Sequence, residues 1–152
     1  MRQLLVTGFL LLTFVGCMER PPNIEHNSSQ ASKVVMIAKS HLGKPYRYGA
    51  TGPNSFDCSG FVYGVFQSVG VALPRTSLDQ SKISGSKLRR GDLKVGDLVF
   101  FDTSGAGHVN HSGIYLGNDA FIHASSGKAY SVTTSSLNGW YKDKFKWGKR
   151  IK

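Results

Sequence analysis

The fold is decided by residues 57–70, which read DCSGFVYGVFQSVG. Their apolar side chains recur at the spacing of a helix that buries one face. The stripe consists of Phe61, Val62, Val65, Phe66 and Val69. Gly70 ends the pattern, since glycine commonly follows the last turn of a helix. We therefore predict a helix here, with Asp57, Cys58 and Ser59 at or just before its first turn.

A second helix and a sheet are predicted around this segment. Upstream, apolar residues recur at helical spacing over residues 31–42, and Gly43 follows as a stop. Downstream, the pattern changes to short apolar runs typical of strands. The strand candidates are Asp97–Asp102, His111–Leu116, Ala120–Ala124, Ala129–Thr133 and Phe145–Ile151. Helices followed by strands indicate an α+β fold, in which N-terminal helices pack on an antiparallel β-sheet.

The composition is that of one globular domain with a basic surface. The chain has 152 residues, of which 40% are hydrophobic, and this length buries a core without disulfides. Lys and Arg number 19 against 9 acidic residues, a net charge of +10. This excess favours anionic partners such as wall polymers or lipid surfaces, or is an ordinary solvated surface. No nucleic-acid-binding motif accompanies it, so no nucleic acid partner is expected.

The N-terminus has the pattern of a targeting segment. Arg2 precedes an apolar run over residues 4–15, which is too short to span a membrane and has the length of a secretory signal. A small residue then precedes Cys17, as in bacterial lipoprotein signals, where the cysteine becomes the lipidated first residue. The alternative is ordinary secretion, with Cys17 unmodified. We expect a signal peptide over residues 1–16 and a lipid-anchored linker over residues 17–30.

The residues after Cys17 indicate where in the cell the protein is located. The linker is polar and contains prolines, as expected of a tether that carries a folded domain, here residues 31–152, away from a membrane. Met18 stands where an Asp usually retains lipoproteins at the inner membrane. We therefore expect a protein of the cell envelope, anchored by lipid to the outer membrane and facing the periplasm.

Cys58 is the first candidate for chemistry. A helix N-terminus carries about half a positive charge, which favours a thiolate, and its unpaired N–H groups can hold an oxyanion. A cysteine that opens a helix therefore has a physical reason to be a nucleophile. The alternatives are a Cys17–Cys58 disulfide or a buried inert thiol.

A cysteine nucleophile needs a base and a group that orients the base. His111 and His123 lie on adjacent predicted strands. A two-residue turn at 118–119 would direct His123 away from His111, whereas a three-residue turn at 117–119, or an equivalent bulge, would place both on one face. Catalysis predicts the second arrangement, in which Gly113 leaves room for the second imidazole. A zinc site of Cys58, His111 and His123 is a rival interpretation.

Several ordered motifs resemble those of the NlpC family of papain-like cysteine peptidases of bacterial cell walls. The motifs are DCSGFV at 57–62, GDLVFF at 96–101, HSGIYLG at 111–117, FIHAS at 121–125, PYRYG at 45–49 and LPRTS at 73–77. The resemblance covers about residues 32–152 and is closest to the family's lipoproteins. Two departures are Ala50, where a second glycine is usual, and Ser112, where an apolar residue is common.

The resemblance implies a papain-like fold and a set of roles. Cys58 would be the nucleophile, His111 the base and His123 the residue that orients it. Tyr46 would lie near the oxyanion, and Asp57 and Ser59 would line substrate subsites. The substrate would be peptidoglycan stem peptides, hydrolysed through an acyl-enzyme without metal or organic cofactor.

Two other classes of function remain open. One is a non-catalytic wall-binding lipoprotein on the same fold. The other is a related papain-like amidase that cuts at the sugar, or a transacylase. The sequence does not select which amide bond of the stem peptide is cut.

Overall fold

The computed structural model describes residues 23–152, which form helices packed on one five-stranded sheet. The helices and strands in chain order are α1 (Asn23–Ser40), α2 (Cys58–Gln67), α3 (Ser77–Ser81), β1 (Leu98–Phe101), β2 (His111–Gly117), β3 (Ala120–Ala124), β4 (Val132–Ser136) and β5 (Phe145–Lys149). A 3-10 turn at Arg90–Asp92 precedes the sheet. The predicted α+β fold is confirmed. The signal peptide and the lipidation site at Cys17 lie outside the described residues.

Helix α1 is longer at its start than the sequence analysis predicted. It begins at Asn23 rather than near residue 31, so the end of the predicted linker, residues 23–30, is helical. Pro22 directly precedes the helix, and proline is favoured at a helix start. The following eight residues contain no glycine or proline, so nothing in them breaks a helix. Within the described residues, no helix has the length and apolarity needed to cross a membrane.

The sheet is antiparallel, with the order β4-β3-β2-β1-β5. Because side chains alternate along a strand, the sheet has two apolar faces. One face packs with α1 and α2 and includes Phe100, Ile114 and Ile122. The other face carries Phe101 and Phe121 and is covered by the segment after β4. The helices and this segment therefore enclose the central strands from both sides.

Strand β4 lies three residues later than the predicted strand 129–133. Tyr130 has a positive φ of 46° and its N–H bonds to the carbonyl of Gly127, so this stretch turns before pairing starts at Val132. The strand reads VTTSS and forms an edge of the sheet. Its polar alternation carries little hydrophobic signal, which is why the sequence located it poorly.

Candidate active site

Cys58 is the first residue of α2, and Asp57 caps that helix. The carboxylate of Asp57 accepts the N–H of Gly60 at 2.6 Å, as N-cap side chains do. Gly60 allows a close contact, since a Cβ there would lie 2.0 Å from the carbonyl oxygen of Ala50. The N–H of Asp57 also bonds to that carbonyl at 2.9 Å. The start of the helix is thus fixed to the loop that carries Tyr46.

Asp57 is fully engaged by groups of the protein. Arg75 donates to both carboxylate oxygens, at 3.0 and 2.6 Å, and to the hydroxyl of Ser59 at 2.8 Å. The N–H of Gly49 adds a further bond at 2.8 Å. Burial alone would raise the pKa of Asp57, but the bonds from Arg75, Gly60 and Gly49 outweigh it and lower the pKa. Asp57 therefore carries a stable negative charge beside the thiol.

The thiol of Cys58 is free and partly buried. Its Sγ lies 3.6 Å from the Oγ of Ser77 and 3.9 Å from the carbonyl oxygen of Asn110. Asn110 immediately precedes His111, so the thiol lies beside the backbone that leads into β2. Burial raises the pKa of Cys58, and the negative charge of Asp57 acts in the same direction. A proton donated by the Ser77 hydroxyl to the sulfur would lower this pKa.

The hairpin β2–β3 brings the two histidines onto one face. The connection is a two-residue turn, in which Asn118 and Asp119 both have positive φ, combined with a bulge between Tyr115 and Gly117. This bulge restores the pairing of Ile114 with Ile122, so the arrangement that catalysis requires is present. A Cβ on Gly113 would lie 2.9 Å from the Ile122 carbonyl oxygen and 3.2 Å from the His123 Cβ.

The two imidazoles form a hydrogen-bonded chain with Ser135. The Nε2 of His111 lies 2.8 Å from the Nδ1 of His123, and the Nε2 of His123 lies 2.9 Å from the Oγ of Ser135. Burial lowers the pKa of His111 to about 4. Burial also lowers the pKa of His123, and His111 adds to that effect. Both rings are therefore neutral near pH 7.

This geometry differs from that of the rival zinc site. Zinc ligands direct their nitrogens at one point about 2.0–2.1 Å away. Here the facing nitrogens of His111 and His123 are each other's hydrogen-bond partners. No cluster of three His, Cys, Asp or Glu suited to a metal ion occurs in the part of the chain that the structure describes.

A cleft of about 660 Å³ opens above Cys58. Both predicted subsite residues, Asp57 and Ser59, line it, and so does Tyr46. The Tyr46 ring packs against Tyr130 with centroids 5.5 Å apart. Burial raises the pKa of Tyr46, and the nearby Cys58 adds to this. Tyr46 is therefore a neutral phenol at the edge of the cleft.

Tyr141 is a site residue that the sequence analysis did not identify. Its ring stacks on His111, with centroids 5.9 Å apart and an interplanar angle of 20°. It also meets His123 nearly edge-on, at 5.3 Å. Burial raises the pKa of Tyr141, and its hydroxyl bonds to Ser125. The segment containing Tyr141 has no clear periodicity, so sequence reasoning had no means of bringing it to the histidines.

Arg75, Ser77 and Ser135 were also missed as functional residues. Arg75 and Ser77 occur in the motif 73–77, but their contacts to Asp57 and Cys58 join residues 18 and 19 positions apart. One local signal was present, since Thr76 caps α3 by accepting the N–H of Asp79. A Thr followed by an acidic residue three positions later predicts a helix start.

The amino-acid sequence of the chain is similar to those of known endopeptidases. The chain is 39% identical over 116 residues to murein DD-endopeptidase MepH of Escherichia coli, covering 73% of this chain and 43% of MepH. It is 42% identical over 123 residues to the probable endopeptidase p60 of Listeria grayi, covering 78% of this chain and 23% of that protein. The chain thus spans less than half the length of these curated relatives.

A solved structure and a family model agree with these alignments. The peptidoglycan hydrolase RipB of Mycobacterium tuberculosis matches with a TM-score of 0.71 and 31% identity, covering 84% of this chain and 67% of RipB. The expected papain-like architecture is thereby confirmed. The NlpC/P60 family model matches residues 43–150, which include both histidines, the thiol and the whole sheet, and the chain therefore belongs to the NlpC/P60 family.

Proposed function

We propose that the chain is a cysteine peptidase that hydrolyses an amide bond in peptidoglycan stem peptides. One observation carries the proposal. A free thiol at a helix N-terminus lies 3.9 Å from the backbone carbonyl that leads into His111, and His111 is bonded on its other side to His123. This order of thiol, first imidazole and second imidazole supports the assignment of nucleophile, base and orienting group. Membership of the NlpC/P60 family supports the substrate class.

The base role requires one arrangement of protons along the histidines. If His111 donates its Nε2–H to the Nδ1 of His123, then His123 donates its Nε2–H to the Oγ of Ser135. The Nδ1 of His111 is then unprotonated and can accept the proton of Cys58. Ser135 stabilises this arrangement by accepting at the end of the chain, so we propose it as a further positioning residue.

The low pKa of His111 suits a proton exchange within the cleft. Burial disfavours an isolated thiolate and an isolated imidazolium alike. Transfer of the thiol proton to His111 forms both charges together, and their attraction offsets part of this cost. The N-terminal charge of α2 also favours the thiolate. We propose that substrate binding, which excludes water, accompanies this transfer.

The remaining steps follow from the same groups. The thiolate attacks the amide carbonyl of the stem peptide. Gly60 and Phe61 donate their N–H groups to Asp57, and the N–H of Ser59 faces the sulfur of Cys58. We therefore assign the oxyanion to the N–H of Cys58, with Tyr46 beside it in the cleft. His111 protonates the leaving amine, and water then hydrolyses the acyl-enzyme. Asp57 and Ser59 line the substrate subsites, and no metal or organic cofactor takes part.

We also propose an anchored location in the cell envelope. The lipoprotein pattern that ends at Cys17 would hold the chain on a membrane through acyl chains. The residue after Cys17 favours the outer membrane, with the domain facing the periplasm. The excess of basic residues, 19 against 9 acidic, would favour contact with anionic envelope polymers.

The test is mass spectrometry of purified peptidoglycan after incubation with the full chain. Cys58→Ala is compared with wild type, and Ser68→Ala serves as the matched control because Ser68 ends the same helix and is exposed. We expect new stem-peptide fragments from wild type and Ser68→Ala only, and their masses identify the bond. Products released from the sugar would indicate an amidase, and acyl transfer products a transacylase. Binding without any product from wild type would instead support a wall-binding lipoprotein.

A further inference from the structure

A buried chain of hydrogen bonds leads from Cys58 to the face of β2 opposite the side chain of His111. The Sγ of Cys58 lies 3.6 Å from the Oγ of Ser77, which lies 2.9 Å from the Oγ of Ser112. Ser112 in turn lies 3.0 Å from the Oε1 of Gln80. Ser112 and Gln80 are completely buried, and Ser77 is nearly so. This chain therefore connects the thiol to Ser112, the residue that departs from the family pattern.

Gln80 fixes the direction of the chain. Its Nε2 donates to the carbonyl oxygens of Ser59 and Pro74, at 3.0 and 2.9 Å. Both partners are acceptors only, so the side-chain amide cannot be reversed without facing oxygen to oxygen. The Oε1 of Gln80 must therefore be the atom that faces Ser112. Because Oε1 only accepts, the hydroxyl proton of Ser112 belongs to this bond.

The direction then propagates to the thiol. With its single proton held by Gln80, Ser112 can only accept from Ser77. Ser77 donates its own single proton to Ser112, and its oxygen is left as an acceptor facing Cys58. An acceptor at this place stabilises the S–H form of Cys58 and not the thiolate. For Ser77 to donate to a thiolate, it must first release Ser112, whose buried oxygen would lose its donor.

We infer that Ser112, held by Gln80, keeps the Ser77 proton turned away from Cys58 and thereby raises the pKa of the thiol. Ser112 is in this sense a positioning residue that acts on Cys58 through Ser77. Burial raises the pKa of Cys58 in the same direction. An apolar residue at 112 would leave the Ser77 proton free to stabilise the thiolate.

The other ionisable groups near the thiol do not belong to this chain of hydrogen bonds. They are Asp57 at the helix cap, Arg75 before α3, Tyr46 and Tyr48 in the loop before α2, Tyr141 in the segment after β4, His108 in the loop before β2, and His111 on β2. The inference rests on the proposed function only in treating Cys58 as the nucleophile. The ionisation of the thiol itself is measurable without substrate or turnover.

The experiment measures how fast iodoacetamide alkylates Cys58 as a function of pH. The full chain carries Cys17→Ser, and the peptide containing Cys58 is quantified by mass spectrometry. In Ser112→Ala we expect the midpoint of alkylation to fall by about 0.5 to 1 pH unit, the size of one hydrogen bond. Ser112→Val, which fills the space, is the second variant, and thermal unfolding confirms that each variant is folded.

A double-mutant cycle separates this mechanism from a structural effect of the substitution. Because the inference routes the effect through the Ser77 proton, Ser112→Ala should no longer lower the midpoint in a Ser77→Ala background. An equal fall in both backgrounds would overturn the inference, since it would reflect water or a cavity at position 112. An unchanged or raised midpoint in both Ser112 variants would overturn it as well. Absence of peptidase activity with a lowered midpoint would count against the proposed function only.

Discussion

The two sides of the cleft hold their reactive groups by different physical means. On one side, Cys58 is surrounded by polar groups, with the Asp57–Arg75 pair at the helix cap and the Ser77 chain behind the sulfur. On the other side, the imidazoles lie among aromatic rings. Those rings are Phe101 and Tyr141 against His111, and Phe121 and Tyr141 against His123.

This difference explains the pKa shifts of the two sides. Burial raises the pKa of Cys58 as well, but on this side directional hydrogen bonds modify that effect through donors and acceptors. Rings exclude water without offering an acceptor for the imidazole protons, so the aromatic side acts on His111 through desolvation. Substitutions on the polar side should change ionisation and local order, whereas those on the aromatic side should change stability and its pH dependence together.

The largest effect is expected where the two sides meet. His111→Gln removes the base but keeps a hydrogen-bonding side chain of similar size. If His111 is the general base, the kcat for purified stem peptides should fall by about 10²- to 10⁴-fold. His41→Gln, the same substitution just after α1 and outside the cleft, is the control and should retain nearly full activity. Equal losses in both variants would contradict the assignment.

Loss of the aromatic cover should be next in size. Tyr141→Ala should lower the free energy of unfolding by about 2 to 3 kcal/mol, less than the loss of a fully buried aromatic ring because Tyr141 is half-buried. Tyr141→Phe keeps the ring against both imidazoles and should lose less than half as much. Chemical denaturation of the three proteins measures this, and equal losses in both variants would assign the effect to the hydroxyl.

The same pair of variants tests the pH dependence. The pKa of His111 is about 4 in the folded chain, below its ordinary value, so the unfolded chain binds the proton first as pH falls. The stability contributed by neutral His111 is thus present above about pH 6.5 and decreases towards pH 4. In Tyr141→Ala, water reaches the ring, the pKa rises and this decrease should become shallower. An unchanged slope would mean that the other rings alone exclude water.

Breaking the polar side at the helix cap should cost less. Arg75→Gln removes the cation beside the buried carboxylate of Asp57, and we expect a loss of about 1 to 3 kcal/mol. The pKa of Asp57 should rise, because burial then opposes ionisation with less compensation. Thermal unfolding between pH 3 and pH 7 should show the largest difference from wild type at neutral pH. Arg89→Gln, which breaks an exposed ion pair with Asp92, is the control.

The smallest effect is expected at the end of the histidine chain. Ser135→Ala leaves His123 without its acceptor, so the productive proton arrangement loses one hydrogen bond. We expect kcat to fall by about tenfold or less, with KM unchanged, since the residue does not line the cleft. Ser136→Ala, the neighbouring residue on the opposite face of β4, is the control. A rise in KM with an unchanged kcat would instead assign Ser135 to substrate binding.

The sequence predicted the half of the site that is local in the chain. Helix α2 follows from its apolar stripe, and Cys58 at its start follows from the same pattern. The pairing of His111 with His123 could be reduced to two alternatives, but not decided. Gly117, Asn118 and Asp119 all accept positive φ, so the residues permit either turn length. The choice depends on pairing further along the strands.

The rest depends on contacts between distant segments. Arg75 reaches Asp57 from a loop without periodicity, and Tyr141 reaches the histidines from a turn beyond the sheet. Neither residue differs locally from a solvated Arg or a surface Tyr. A nucleophile and an inert buried thiol share the same local pattern, and the Asn110 backbone that lies 3.9 Å from Cys58 comes from a segment 52 residues further along the chain.

The bulge between Tyr115 and Gly117 determines which face of the sheet each side chain of β3 occupies. If the same residues paired without this bulge, the two-residue turn would remain, yet every side chain of β3 would exchange faces. His123 would point towards the helices, and Ile122 would take its place beside His111. The choice between two registers of the same residues therefore decides whether the two imidazoles meet.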